Sequence, residues 1–548
     1  MQQTIDKVAL ILCGGDINFS DLPIITNRSN AMIPVNGKPV IGWILDDLIQ
    51  KEVKEVILVL RFDNYKLLNY VEWAFAKNTV IHYAFVQGGG TILHSLLAGL
   101  AWVKPGYGVH IILGDTLLRD QYPDKSDFVF TGDYENPEDW CLVKTSEAGR
   151  AIEYFDKVKS SSHDGLQALA GVYSLSDTEL LRNMVMNKIH SGSKEISQVL
   201  KEYGDAKAIY VIRAKEWYDF GHIHYFNLAK RKLLQSRYFN TLTIDPLKGM
   251  ITKQSQKSDK LSDELHWYKS LPPELQLLSP RLIESHDHKT VTICQEYYGY
   301  PNLAELYVFG DVGLSVWMNA LSKLMDIHVL FRNEKGTIES NDILEVYWKK
   351  TQTRLEDLSN ETYWKTLLKK KSLTINGVSY ANFCTLEEEV KEIITYMSQS
   401  PQGSIIHGDY CFSNILYDLN SQLVRLIDPR GSFGKQKIFG DPRYDIAKLR
   451  HSVSGLYDFI IADLFKVVDQ KESFTLEFFK PEAYDPLCKF FDELTAKFGY
   501  KPEEIKLIEG LLFVSMVPYH KDKFERQLAM YLNGIIILNQ VLKHENSN

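Results

Sequence analysis

Short, almost wholly apolar runs alternate with amphipathic stretches through residues 1–235, and this alternation constrains the fold more than any other feature. "KVALILC", "KEVILVLR" and "GVHIILGD" have the length and β-branched content of strands covered on both faces. "IGWILDDLIQKEV" and "TILHSLLAGLAWV" carry the 3.6-residue apolar period of helices between them. Strand–helix–strand order predicts an α/β domain, a doubly wound and mostly parallel sheet with helices on both faces. Ligands of such sheets gather beyond the carboxyl ends of the strands. Gly14-Gly15 and Gly114-Asp115 fall at two such ends.

Beyond residue 235 the pattern changes. "YFNTLTIDPLKGMITKQSQ" reads as an antiparallel hairpin turning at Pro246 to Gly249, and "KTVTICQEYYGYPNLAEL" as strand, connector and helix. From about residue 310 the chain is mostly helical, broken by a compact strand pair around "HGDYCFSNILYDLNSQLVRLIDPRG". Segment 334–400 is charged and helical and carries no motif that assigns it a role. A chain of 548 residues, 45% hydrophobic and 24% charged, is long enough for two or three full cores. A net charge of -8 gives no case for nucleic-acid or anionic-membrane binding. The six cysteines are scattered without a CxxC pair, which predicts a reducing, cytoplasmic setting and neither a zinc knuckle nor a disulfide frame. The apolar run Val8 to Cys13 is too short for a signal peptide and reads as a buried strand. No run is long enough to span a membrane.

The strand pair near the C-terminus gathers chemistry. Asp409 stands five residues before Asn414, and Asp428 fourteen beyond it. A strand leaves the loop after Asn414, a turn reverses it, and a second strand returns to Asp428, so Asp409, Asn414 and Asp428 meet at one edge. An amide oxygen and a carboxylate suit Mg²⁺, which takes few protein oxygens and keeps phosphate ligands. A further carboxylate can orient a substrate hydroxyl and accept its proton.

"HGDxxxxN…IDP" resembles the aminoglycoside phosphotransferase and choline kinase branch of the protein-kinase-like fold. The resemblance covers residues 236–548 and implies an α+β domain with a small lobe over 236–305 and a mostly helical lobe over 306–548. It implies Asp409 as the catalytic aspartate, Asn414 and Asp428 as metal ligands, Lys253 on the ATP phosphates and Glu264 holding Lys253. It makes "CQEYYGYPNLAEL" the adenine-facing hinge, with Gln295, Glu296 and Tyr297 at its edge. No GxGxxG loop, DFG or APE is present, which favours a small hydroxylated acceptor over a protein. In "GDPRYDIAKLRHS", Asp441 and Asp445 read as a helix cap and a loop anchor.

Residues 1–235 are similar to the sugar-1-phosphate nucleotidyltransferases, including the cholinephosphate cytidylyltransferases. The marks, in order, are Gly14-Gly15, "IPVNGKPVIGWILDDL", "QGGGTILHSLLAGL", "IILGDTLL", "FDKV" and "EWYDFGHIHYFNLAKRKLL". The similarity implies nucleotide contacts at Gly14, Gly15, Gln87, Gly88 and Gly89. It also implies Mg²⁺ on Asp115 and Asp219, at opposite ends of the sheet, and a substrate-phosphate contact at Lys157. Two positions depart from the family. Phe19 or Ser20 stands where an arginine binds triphosphate, and Asn30 where a lysine precedes "L-x-P-V"; Arg28 is the nearby cation. Each strong donor lost costs on the order of 10²–10³ in rate.

Together these readings predict a bifunctional enzyme. Its kinase phosphorylates a sugar, alditol or amino alcohol with ATP and Mg²⁺. Its first domain couples that phosphate to a second NTP, giving an activated donor for bacterial surface polysaccharide. The alternative is a small-molecule kinase whose first domain is non-catalytic and binds a nucleotide or nucleotide-sugar as sensor or scaffold.

Overall fold

The computed structural model describes residues 6–15, 29–158, 165–234, 240–255, 258–287, 290–471, 473–542 and 546–547. Phe19, Ser20 and Arg28 lie outside the described residues. The chain divides into two compact units, Met1–Leu233 and Leu234–Asn548. No helix among the described residues is long and apolar enough to cross a membrane.

The strands of the first unit are β1 (Lys7–Cys13), β2 (Glu55–Arg61), β3 (Val80–Val86), β4 (Gly108–Leu113), β5 (Thr116–Leu118), β6 (Phe128–Gly132), β7 (Cys141–Thr145), β8 (Ala151–Asp156), β9 (Gln167–Leu175), β10 (Tyr210–Arg213) and β11 (Trp217–Asp219). Its helices are α1 (Val40–Gln50), α2 (Tyr65–Phe75), α3 (Ile92–Leu100), α4 (Thr178–His190), α5 (Ile196–Ala206) and α6 (Ile223–Lys232). Strand β1 is central, parallel to β2 on one side and β4 on the other, and β3 continues the parallel set. These strands are buried on both faces, which is why they read as continuous apolar runs. Leu10, Val59 and Ile111 meet Leu93, Leu96 and Leu100 of α3 in one core.

The parallel sheet that the sequence predicts is present, and antiparallel strands extend it beyond β4. Strand β9 joins β4 antiparallel, then pairs antiparallel with β6 and β7, and β7 pairs antiparallel with β8. The parallel half comes from strand–helix–strand crossovers, which the sequence period shows. The other half joins a local β7–β8 hairpin to the longer-range pairs that β9 makes, with β10 parallel to β6, and those longer-range pairs the period does not show. The small β5–β11 ribbon stands off the main sheet, with Thr116 opposite Asp219.

The second unit begins with a four-stranded antiparallel sheet of β12 (Asn240–Asp245), β13 (Met250–Ser255), β14 (Leu282–Asp287) and β15 (Val291–Glu296), in the order β12-β13-β15-β14. Helix α7 (Ser258–Ser270) packs Leu261 and Leu265 on Val291 and Ile293. Then follow α8 (Leu303–Phe309), opened by an Asn302/Glu305 capping box, and α9 (Leu314–Asn333). Residues Leu344–Lys349 form a π-helical turn that runs into α10 (Lys350–Leu358). Next come α11 (Phe383–Ser398), β16 (Gly403–Ile405), the antiparallel pair β17 (Ile415–Tyr417) and β18 (Val424–Leu426), α12 (Pro442–Val453), α13 (Tyr484–Lys497), α14 (Pro502–Met516) and α15 (Phe524–Leu542). Helix α12 starts as its sequence demands, with Asp441 accepting from the Arg443 amide and Pro442 at the first helical position.

Candidate active sites

In the first unit, the ends of β1, β3, β4 and β11 frame one site. Gly14 follows β1 where no side chain fits: a Cβ there would lie 2.6 Å from Cγ2 of Val86 and 2.7 Å from Oγ of Ser95. Gly15 faces open space, so its backbone is approachable. Gln87, Gly88 and Gly89 follow β3 and lead into α3, whose first turn is closed by a Thr91/His94 capping box. A Cβ on Gly88 would lie 2.9 Å from Nη2 of Arg61, which sets a cation against this turn. Lys38, in the segment that resembles the family, is tied to Asp46.

Asp115 and Asp219 are neighbours, not residues at opposite ends of the sheet. The β5–β11 pairing brings them together, and the Phe220 amide donates to the Asp115 carbonyl at 2.9 Å. A Cβ on Gly221 would lie 2.9 Å from Oδ2 of Asp115 and 3.6 Å from Oδ1 of Asp219, so both carboxylates border one small space. Burial, and then the charge of Asp219, push the Asp115 carboxyl up to about 6. Asn30, at the position where a lysine was expected, hydrogen-bonds the Asp115 carboxylate, while its Oδ1 is buried without a partner. His222, which the sequence reading missed, contacts Oδ2 of Asp219 through Nδ1 at 2.9 Å and through its amide at 3.2 Å. Two carboxylates facing one space, with an orphaned amide oxygen at hand, make a donor set that fits a hard cation. Lys157 is exposed after β8 in a left-handed conformation, φ 47°, its amide donating to the carbonyl of Trp140, whose ring lies 5.0 Å from that of His222.

In the second unit, Lys253 on β13 is buried, with Nζ 2.6 Å from Oε1 of Glu264 on α7 and in contact with Asp428. Burial alone would lower the Lys253 ammonium, but Asp428 and Glu264 hold it above the ordinary lysine range. The Trp267 indole donates to the Ile406 carbonyl at 2.8 Å, which ties α7 to the strand entering the HGD loop. In that loop the amides of His407 and Gly408 donate to the two oxygens of Asp445 at 2.7 and 2.8 Å. Asn414 donates through Nδ2 to Oδ2 of Asp409 at 2.8 Å and to its carbonyl at 3.0 Å, which turns the amide oxygen away from Asp409. The Ile427 amide donates to the Asn414 carbonyl at 3.0 Å, so the β17–β18 hairpin closes with Asn414 beside the approach to Asp428. Asp428 itself is left-handed, φ 54°. One amide oxygen and one carboxylate at the hairpin mouth fit a magnesium ion.

Lys448 on α12 escaped the sequence reading. Its Nζ lies 2.9 Å from Oδ1 of Asp409. Burial would raise the Asp409 carboxyl, but the charge and hydrogen bond of Lys448 hold it well below the usual carboxylate range. The signal was a lysine among Ile446, Ala447 and Leu449 in an apolar stretch of the helix. The hinge residues are partly spent. Gln295 is 2% exposed and faces the lobe interior, bonded to Tyr268 and Pro280. The amides of Glu296 and Tyr297 donate to Arg281 at 3.1 Å and Gly249 at 2.8 Å. The structure therefore does not turn the Gln295 side chain or these two amides toward a nucleotide. Inter-strand pairing claims them, because β15 is flanked by β13 and β14.

Residues 8–236 match the family model described as Nucleotidyl transferase. The chain is similar to the bifunctional protein GlmU of Methanococcus maripaludis, 26% identical over 220 residues, which is 39% of this chain and 51% of that one. The GlmU protein of Methanocaldococcus jannaschii is 23% identical over 197 residues, 35% of this chain and 46% of that one. The chain thus spans about half the length of the curated relatives it matches. Among solved structures, a putative glucose-1-phosphate thymidylyltransferase from Bacillus anthracis is similar at 17% identity and TM-score 0.37, covering 42% of this chain and 97% of that one. A UDP-glucose pyrophosphorylase complexed with UDP-glucose is similar at 16% identity and TM-score 0.36, covering 42% and 98%. The unit that carries Gly14, Asp115 and Asp219 is the part of the chain that matches the Nucleotidyl transferase family model and is similar to these proteins.

Proposed function

We propose that the chain is a two-step enzyme: residues 234–548 phosphorylate a small hydroxylated molecule with ATP, and residues 1–233 join the resulting phosphate monoester to an NTP. The kinase reading is carried by one observation, the convergence of Lys253, Glu264, Asp428, Asn414 and Asp409 at the mouth of the β17–β18 hairpin. In this reading Lys253, positioned by Glu264, holds ATP phosphates. Asp409 orients the acceptor hydroxyl and takes its proton as the oxygen attacks. Lys448 lies against Asp409, where charge on the transferred group develops. In the first unit, Gly14 and Gly15 offer backbone amides to phosphates, and Lys157 meets the incoming phosphate. Asn414 with Asp428, and Asp115 with Asp219, would each hold Mg²⁺, which when bound neutralises phosphate charge.

An ATP-consumption screen over sugars, alditols and hydroxy acids tests the kinase, and Asp409→Asn is expected to abolish turnover while Mg·ATP still binds. Retained turnover in that variant overturns the assignment. Pyrophosphate release from each NTP with the kinase product tests the first unit. Nucleotide binding without turnover would favour the second reading, a nucleotide-binding sensor, which the arginine and lysine replaced at Phe19 or Ser20 and at Asn30 support.

A further inference from the structure

The helical lobe pairs its buried arginines with care. Arg443 meets Asp441 and Glu504, Arg450 meets Asp492 and Glu509, and Arg526 meets Asp463 and Asp522. Arg332 and Arg425 stand singly without a carboxylate, on carbonyls and tyrosine rings, but three further cations without one are gathered together, on the side of the HGD loop. Lys350 and Arg354 lie one turn apart on the same face of α10. Arg430 follows Asp428, and its Cβ crowds Gly408 of the HGD loop. Tyr444 gathers two of them. Its hydroxyl accepts from Nη1 of Arg430 at 3.0 Å and from Nζ of Lys350 at 3.5 Å, and Lys350 lies 5.4 Å from its ring centre. Arg354 donates to the Tyr519 hydroxyl and the Ser515 carbonyl, each at 3.0 Å, and stands 4.4 Å from the Tyr519 ring. Tyr519 is 68% exposed, so the group opens to solvent.

Among the described residues, Lys350, Arg354 and Arg430 make no ion pair with a carboxylate. Burial, then Arg430, Arg354 and Lys448, depress the Lys350 ammonium, with Asp409 as the opposing carboxylate. Three half-buried cations gathered with no carboxylate at ion-pair distance are costly to assemble, and a bound anion would offset that cost. Lys350 also answers to a different carboxylate from Lys253. Lys253 is held by Asp428 and Glu264, whereas the carboxylate that acts on Lys350 is Asp409.

We infer that the acceptor is an anion: a hydroxylated small molecule bearing a carboxylate or a phosphate, held by Lys350, Arg354 and Arg430 with its hydroxyl at Asp409. This rests on the kinase reading above and narrows it, excluding amino alcohols and other cationic acceptors. In the reaction, the acceptor oxygen bonds to the γ-phosphorus. The bond from that phosphorus to the β–γ bridging oxygen breaks, ADP leaves, and the hydroxyl proton passes to Asp409.

The test uses the full chain with Mg·ATP and matched acceptors: glycerol, glycerate and glycerol 3-phosphate; ribitol, ribonate and ribitol 5-phosphate; and ethanolamine. An anionic member is expected to exceed its neutral partner about tenfold to a hundredfold in kcat/KM, the range of hydrogen bonds to charged groups. Whether the carboxylate or the phosphate member wins identifies the anion. Lys350→Met and Arg354→Met are expected to raise KM for that acceptor, leave KM for ATP unchanged, and abolish the preference. Preference for a neutral or cationic acceptor, or a rise in KM for ATP instead, overturns the inference. Calorimetry with inorganic phosphate provides the second measurement, with one site lost in Lys350→Met. Unchanged phosphate binding in that variant also overturns it. If phosphate binding is lost but no acceptor of any charge is phosphorylated, the kinase reading fails and the anion site stands.

Discussion

At the scale of single residues, the Lys448–Asp409 pair sets the working state of the candidate base. The ammonium holds the carboxylate well below its usual range, so Asp409 stays ionised throughout the physiological range. Removing that charge in Lys448→Met raises the carboxyl, so the acid limb of the kcat/KM profile is expected to move to higher pH. A pH–rate profile reads the shift, and an unmoved limb would mean that Lys448 does not act through Asp409. In the first unit, Asn30 bonds Asp115 rather than standing idle. Asn30→Ala is expected to raise the Mg²⁺ concentration needed for half-maximal nucleotidyl transfer by about tenfold or more, as losses of groups that orient metal ligands do. Titrating activity with Mg²⁺ checks it. Asp409, Asn414 and Asp428 were legible because a hairpin of a few residues joins them, and local turns can be read locally. Lys448 and Lys350 were not, because their approach to Asp409 depends on how α10 and α12 pack. The adjacency of Asp115 and Asp219 was missed for the same reason, as it comes from the long-range β5–β11 pairing.

At the scale of elements, tight approaches decide what each strand end can carry. Gly14 lets the exit of β1 pass between the end of β3 and the side of α3. Gly14→Ala forces Val86 or Ser95 to move, costing about 1–3 kcal/mol as overpacking does. Nucleotide affinity is expected to fall before the fold does, so calorimetry with NTP should register a loss larger than any change in the urea midpoint of the first unit. The parallel half of the sheet was readable because buried strands and amphipathic helices alternate in order. The hinge was readable as a strand followed by a connector. The partners of its amides were not, since they depend on which strands flank β15.

At the scale of the whole molecule, two units divide at Leu233 and Leu234. In the second, His328 on α9 is fully buried with Nε2 2.6 Å from the Tyr500 hydroxyl, and burial, then Arg332, lower it to about 3. An unfolded histidine titrates near 6.5, so between these values the folded unit binds fewer protons than the unfolded chain. The stability this ring contributes is present above about pH 6.5 and is lost as pH falls toward 3, at about 1.4 kcal/mol per pH unit within the window. His328→Asn removes that titration. Urea unfolding at pH 7 and pH 5 should show a smaller acid loss in the variant than in the wild type, and equal losses would mean that the ring is already charged in the fold.

The π-helical turn at Leu344–Lys349 gives segment 334–400 a meaning of its own. Such a turn holds one residue more than an α-helix needs, and each residue advances a helix by about 100°. Deleting one residue there would let the backbone relax into an ordinary helix, a permissive change for the fold. It would also swing Lys350 and Arg354 about a quarter-turn off Tyr444 and Tyr519 while leaving Lys253, Asn414 and Asp428 untouched. On the proposed kinase reading, a single-codon deletion there would alter the anion site and leave Lys253, Asn414 and Asp428 in place.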